Sequence, residues 1–220
     1  GEGDEQPQRL PTGVAALAGQ RVVSVSVGHL HSLAITADGA VFSWGSGMFG
    51  AALGHDGDLL GRLLDEPDQW QPKKVEALSA QYAVAVSAGE WHSLALTADG
   101  DVWIWGESKW LPQKIEFFAQ LPERVVSLAA GGAHYLAITA DGTVWSWGAG
   151  WHGRLGHGDA QAQLLPKKIE ALAGKRVIAV ESGRVHSLAL TADGAVWSWG
   201  GGVFGQLGHG DEQEQLSLSL

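Results

Sequence analysis

The stretch "HSLALTADGAVWSWG" at residues 186–200 has three near-copies earlier in the chain: "HSLAITADGAVFSWG" from His31, "HSLALTADGDVWIWG" from His92 and "HYLAITADGTVWSWG" from His134. In "HSLALTA", Leu188 and Leu190 point one way and His186, Ser187 and Thr191 include polar positions, a pattern of a half-buried strand. Asp193–Gly194 follows, then the second β-run "AVWSWG". Two β-runs joined through Asp-Gly predict a hairpin, because a tight turn needs positive φ. "TADG" stands in all four copies, so four such hairpins are expected.

Spacing turns the copies into an architecture. The marker histidines His31, His92, His134 and His186 are 61, 42 and 52 residues apart, and Trp44, Trp105, Trp147 and Trp199 repeat the same three intervals. A unit near 52 residues explains both series, and internal repeats of this length mark stacked arrays. The first unit carries a nine-residue insertion around "HDGDLLGRLLDEPDQWQ" (55–71), and the second drops the "GxxGxLGHGD" portion, running straight through "WGESKWLPQKIE" (105–116). Both changes fall between the same anchors, as expected of a surface loop. Each unit offers about four short strands: one like "RVIAVESG", the two of the hairpin, and one in "PKKIEAL". One such sheet cannot bury its own apolar face, whereas stacked neighbours can. The expected fold is therefore all-β, a β-propeller of four-stranded antiparallel blades. About four repeats are present, near 21–80, 81–123, 124–175 and 176–220, with 1–20 as the end of a preceding repeat, all in one domain or propeller fragment. Residues i and i+2 of a strand share a face, so Trp103/Trp105, Trp145/Trp147 and Trp197/Trp199 are read as plates packed between blades.

The totals narrow the function. The chain has 220 residues, 45% of them hydrophobic, with 32 glycines and no cysteine. That is enough for a real core, while disulfides, thiolate metal sites and thiol nucleophiles are excluded. Redox chemistry does not give the compartment, and an intracellular place is the expectation. The formal charge of −10 argues against direct nucleic-acid binding, which needs Lys and Arg on phosphates. No apolar stretch approaches a membrane span and no signal peptide is visible. The chain starts at glycine, not methionine, and is read as a processed or trimmed piece of something longer.

The order "GxxHS", "TADG", "WSWG", "GQLGHGD" resembles the repeat of the regulator of chromosome condensation family, over nearly the whole chain. The resemblance implies propellers that typically have seven blades. Membership of a longer propeller is the favoured expectation, followed by an open arc completed by a partner and by a ring closed on four blades. The family's functions are diverse. They include exchange factors for a small GTPase, a plant ultraviolet-B sensor with clustered tryptophans, and interaction domains of ubiquitin ligases and large assemblies. Fold alone does not choose among them.

Each sharper chemistry meets a plainer reading. His186, Ser187 and Asp193 stand close in sequence, but a triad needs the histidine between nucleophile and acid, and adjacent strand residues face opposite ways. No catalytic residue is assigned and no enzyme activity is expected. His55, His157 and His209 recur in "LGH", and His29 and His31 lie two apart. Paired histidines can ligate zinc, yet loop capping or hydrogen bonding between blades is preferred, so no metal and no cofactor are expected. The family's ultraviolet sensor carries a glycine-tryptophan-arginine-histidine-threonine segment, and "GHLHS", "GEWHS", "GGAHY" and "GRVHS" all depart from it. The basic groups Lys73–Lys74, Lys114, Lys167–Lys168 and Lys175–Arg176 are read as edge protection ahead of an anion stripe.

What remains is protein binding. Trp70, Trp91, Trp110 and Trp151 break the repeat pattern, and Phe49 and Phe204 occupy equivalent loop positions. Exposed tryptophans anchor interfaces, so these six residues are the candidate protein-binding set. The function expected is a non-enzymatic interaction scaffold or structural subunit of a larger assembly, with protein partners. The alternative is a guanine-nucleotide exchange factor for a small GTPase.

Overall fold

The computed structural model describes residues 9–46, 52–55, 68–106, 109–210 and 215–219. Four antiparallel four-stranded sheets, the blades of a β-propeller, follow one another in chain order. The first contains β1 (Val22–Val27), β2 (His31–Thr36), β3 (Val41–Gly45) and β4 (Gln69–Lys74). The second contains β5 (Ala83–Ala88), β6 (His92–Thr97), β7 (Val102–Gly106) and β8 (Lys109–Lys114). The third contains β9 (Val125–Ala130), β10 (His134–Thr139), β11 (Val144–Gly148) and β12 (Gln163–Lys168). The fourth contains β13 (Val177–Ser182), β14 (His186–Thr191), β15 (Val196–Gly200) and β16 (Gln215–Ser219). The chain divides into two compact units, Gly1–Ala98 with Trp103–Lys114, and Asp99–Val102 with Ile115–Leu220.

The quoted stretch forms the central hairpin of every blade. In the fourth, His186 pairs with Gly200 and Leu190 with Val196 across the Asp-Gly turn. The closing glycine of "WG" is required on two grounds. Gly45 and Gly200 have φ of +114° and +106°, a region L-residues avoid. A Cβ there would also lie 2.3 Å from the Leu30 carbonyl oxygen and 2.6 Å from that of Val185. The "PKKIEAL" segment divides: Pro-Lys-Lys ends β12, and Glu170–Leu172 turns as a short 3-10 helix. The lysine pairs thus sit on β4 and β12, the outer strands.

Each unit has its own core. In the first, Leu33, Ile35 and Val41 of one blade meet Ala83, Ala95 and Trp105 of the next, with Trp103 against them. In the second, Leu136, Ile138 and Val144 meet Val177, Val180, Ala189 and Trp199, with Trp197 alongside. Trp105 and Trp199 are fully buried, and a large buried aromatic is worth about 3–5 kcal/mol on truncation.

A polar clip fixes the register of these apolar faces. His31 Nε2 lies 2.9 Å from Ser93 Oγ, one blade on. Ser93 donates its own proton to the Ala52 carbonyl at 2.8 Å, and Trp105 Nε1 donates to the same oxygen. The second unit repeats the set: His134 Nε2 to Ser187 Oγ at 2.9 Å, with Ser187 and Trp199 both donating to the Arg154 carbonyl. The serine proton is committed to the carbonyl, so the serine oxygen accepts from the ring and the histidine carries its proton on Nε2.

Close approach of the histidine to the strand before it needs a glycine. A Cβ on Gly131 would fall 2.3 Å from His134 Cε1 and 2.7 Å from the Gly183 carbonyl oxygen. Gly131→Ala is therefore expected to cost about 1–3 kcal/mol through overpacking. Gly13→Ala, with open space around it, is expected to be near neutral. Urea denaturation midpoints of the two variants check the difference.

Candidate interaction surfaces

The polar residues of the repeat are taken up by construction. Ser187 is committed to His134 and Arg154, not to its neighbour His186. Asp193 accepts from Thr191, as Asp141 does from Thr139. These hydroxyls hold the aspartate carboxyls below their ordinary range. The serine and aspartate of the apparent triad thus serve two different contacts. The "LGH" histidines are loop pins: His55, His157 and His209 place Nε2 at 3.0, 3.0 and 2.8 Å from Ser43, Ser146 and Ser198. Those serines donate to the carbonyls of Leu53, Leu155 and Leu207. His29 and His31 diverge, His29 Nδ1 lying 4.0 Å from Glu90 while His31 reaches Ser93.

Repeat two lacks the "LGH" loop and carries Ile104 where the other blades have the pinning serine. Ile104 is buried. The following repeat carries Tyr135 at the clip serine's position. Its ring stacks on Trp147 at 5.2 Å with 19° between planes, and Phe118 meets Trp147 edge-on at 5.5 Å. Sequence reading passed over both departures, although "VWIWG" and "HYLAIT" announce them.

The candidate binding residues fall in different places. Trp70 lies on β4, not in the insertion, and is 44% exposed. It forms a groove with Leu30, Trp44, Ser46 and Asp68. Trp91 precedes β6, half-buried, with its ring edge-on to His29 at 5.1 Å. Trp110 is on β8, also half-buried. In the second unit Trp151 is 63% exposed, and the Arg154 guanidinium stands 5.6 Å from its ring. Arg154 Nε donates to the Trp151 carbonyl, which anchors the residue from behind. Phe204 is 90% exposed. Phe49 lies outside the described residues. Exposed Leu164 and Leu165 on β12 escaped the sequence reading, because a strand of alternating pattern does not say which outer face stays wet.

Burial sets the acid response. His31 and His55 are pushed down to about 4 and His92 to about 3, chiefly by desolvation. A folded pKa below the ordinary 6.5 means that the unfolded chain binds more protons between those values. The stabilisation is complete above pH 6.5 and is lost as pH falls toward 4, by about 3 kcal/mol for His31. Urea midpoints at pH 7 and pH 4.5 are expected to fall accordingly, and His31→Gln is expected to flatten the dependence.

Comparison with known proteins agrees with the blades. The sequence profile "Regulator of chromosome condensation (RCC1) repeat" matches residues 38–96 and 141–190, and a second profile of that description matches 22–50, 125–154 and 177–206. The chain is 39% identical to the E3 ubiquitin-protein ligase HERC2 of Homo sapiens over 224 residues, 96% of this chain and 4% of that protein. It is 34% identical to the ultraviolet-B receptor UVR8 of Arabidopsis thaliana, over 99% of this chain and 50% of the receptor. The crystal structure of Prp20p from Saccharomyces cerevisiae, described with its binding properties to Gsp1p and histones, is 29% identical with a TM-score of 0.72, covering 90% of this chain and 48% of that one. The chain thus spans half or less of each of these relatives. With repeat profiles over most of its length and the matching four-stranded blades, the chain belongs to the regulator of chromosome condensation (RCC1) repeat family.

Proposed function

We propose that this chain is a non-enzymatic protein-interaction module, a scaffold or structural subunit of a larger intracellular assembly. One observation carries the reading. Most of the histidines, serines and threonine–aspartate pairs that recur in the repeat are held in clips, pins and turns, whereas Trp70, Trp151 and Phe204, which differ between repeats, reach the surface. Trp70, Trp151 and Phe204 are the leading contacts, with Trp91 and Trp110 as half-buried flanks. Exposed aromatics of this kind give most binding energy per residue when a partner desolvates them.

The second reading, exchange on a small GTPase, rests on the likeness to Prp20p, which is described with binding properties to Gsp1p and histones. The two readings differ in what the native protein carries. Mass spectrometry of proteins co-purifying with the full-length protein at moderate salt is expected to find a fixed, stoichiometric set of subunits. Trp70→Ala, Trp151→Ala and Phe204→Ala are expected to weaken that capture about ten-fold or more with an unchanged thermal midpoint. A GTPase enriched when its nucleotide is stripped would establish the second reading instead. A large loss of stability with intact capture would place these aromatics in the core.

A further inference from the structure

Within the second unit, a cleft of about 270 Å³ opens between the hairpin turn of the third blade and the segment that leads into the fourth. Its lining includes Asp141 and Thr143 from the turn, Lys168 at the end of β12, and Lys175 and Arg176 just ahead of β13. Edge protection accounts for the lysines carried by β12, but Lys175 and Arg176 precede their strand. Three cations thus face one carboxylate in this cleft, in a chain whose formal charge is −10. Asp141 is occupied by its own turn. Oδ1 accepts from the Thr139 hydroxyl at 2.7 Å and the Thr143 N–H at 3.1 Å, and Oδ2 accepts from the Thr143 hydroxyl at 2.8 Å. Lys175 Nζ stands 4.4 Å from the centre of the Trp197 ring, a contact that steadies the ammonium without neutralising it. Asp193 feels the Lys175 charge as well, but its carboxyl is held by Thr191. Lys168 Nζ lies 3.8 Å from Glu170, and an exposed pair of this kind holds its partners weakly.

The first repeat fills the same place differently. Gln81 and Tyr82 stand where Lys175 and Arg176 stand later. The backbone fixes the correspondence, since the Ala83 N–H donates to the Gly39 carbonyl as the Val177 N–H does to that of Gly142. Tyr82 reaches back across the turn and donates to the Ala37 carbonyl at 2.7 Å. A Cβ on Gly39 would lie 2.8 Å from its ring. Lys74, the counterpart of Lys168, acts on Asp38 and helps hold that carboxyl below its ordinary range. An aromatic ring packed over the turn in one repeat is therefore replaced by a guanidinium beside a cleft in another.

We propose that this cleft binds a phosphate monoester dianion, held by the Arg176 guanidinium and the Lys168 and Lys175 ammonium groups. A phosphate ester brings a charge of about −1.5 to −2 and three strong acceptor oxygens, which answers three cations opposed by one carboxylate. A carboxylate ligand, with a single charge, leaves one of those cations unanswered. Arginine meets phosphate through a planar fork of donors, and lysine meets it as a point charge. Pockets for whole small molecules run from about 300 Å³ upward, so a cleft of about 270 Å³ suits the phosphorylated group itself and not a large cofactor. The site is separate from Trp70, Trp151 and Phe204, and it does not depend on their binding a partner.

Amide chemical shifts of the isotope-labelled protein, followed during titration at constant ionic strength, test this directly. The probes are inorganic phosphate, phenyl phosphate and a tripeptide with phosphoserine at its centre, with acetate as the control anion. Saturable shifts in the millimolar range are expected at residues 142–144 and 174–177, and none at 38–41, where Tyr82 fills the corresponding place. Arg176→Ala and Lys175→Ala are each expected to weaken phosphate binding about ten-fold with an unchanged urea midpoint. Trp151→Ala is expected to leave it as in the parent, so this site and the aromatic contacts fail or hold separately. Tighter binding of the tripeptide than of inorganic phosphate would identify a phosphorylated side chain as the source, and equal binding a free phosphate or small ester; either supports the proposal. The absence of a saturable response to every phosphate probe would overturn it. So would an equal response to acetate, or binding that survives the combined loss of Lys175 and Arg176.

Discussion

The structure depends on a serine hydroxyl shared between two blades. Ser93 and Ser187 each accept from a histidine of the preceding repeat and donate to a carbonyl of that repeat's loop. Both hydroxyls are fully buried. A buried polar group without partners costs about 1–3 kcal/mol, so sliding one blade over the next would leave serine, imidazole, indole and carbonyl unsatisfied together. Apolar faces alone tolerate such sliding, because hydrophobic contact is not directional. The clip is what gives the stacking one register.

Two positions depart from the repeat's serines, and the first of them sits beside a shortened loop. Repeat two has no "LGH" loop, so a serine at position 104 would have no loop carbonyl or imidazole to bind, and Ile104 fills the buried site instead. The next repeat places Tyr135 where a clip serine would stand, and builds an aromatic cluster with Trp147 and Phe118. Repeated residues thus answer to packing. Apart from such buried exchanges, the repeats differ in the loops and outer strands, and there the exposed aromatics Trp70, Trp151 and Phe204 are found. A scaffold that recognises a partner needs this division between a fixed frame and a variable surface.

Much of the frame was legible. Asp-Gly between alternating runs determined the hairpins, the 52-residue period determined the blades, and Trp103/Trp105 and Trp197/Trp199 were rightly read as plates between blades. The pairing of histidine with serine was not legible as such. The two residues are adjacent in each copy, which suggests a local dyad, yet a strand sends neighbours to opposite faces. Each therefore finds its partner a whole repeat away. Trp70 and Trp110 were read as loop residues, but the outer strand of each blade begins as soon as the connection closes, which places both on strands. Exposure of Leu164 and Leu165 depends on what covers the outer strand, and local pattern carries no such information.

A double-mutant cycle on His134 and Ser187 tests the central claim most directly. His134→Ala, Ser187→Ala and the combined variant would be compared by urea denaturation, with His186 and Ser187 as the adjacent control pair. The account predicts a coupling of about 1 kcal/mol or more between His134 and Ser187, and additivity for the adjacent pair. Additive losses for His134 and Ser187, or coupling confined to His186 and Ser187, would mean that the histidine serves its own repeat and that the blades are joined by something else.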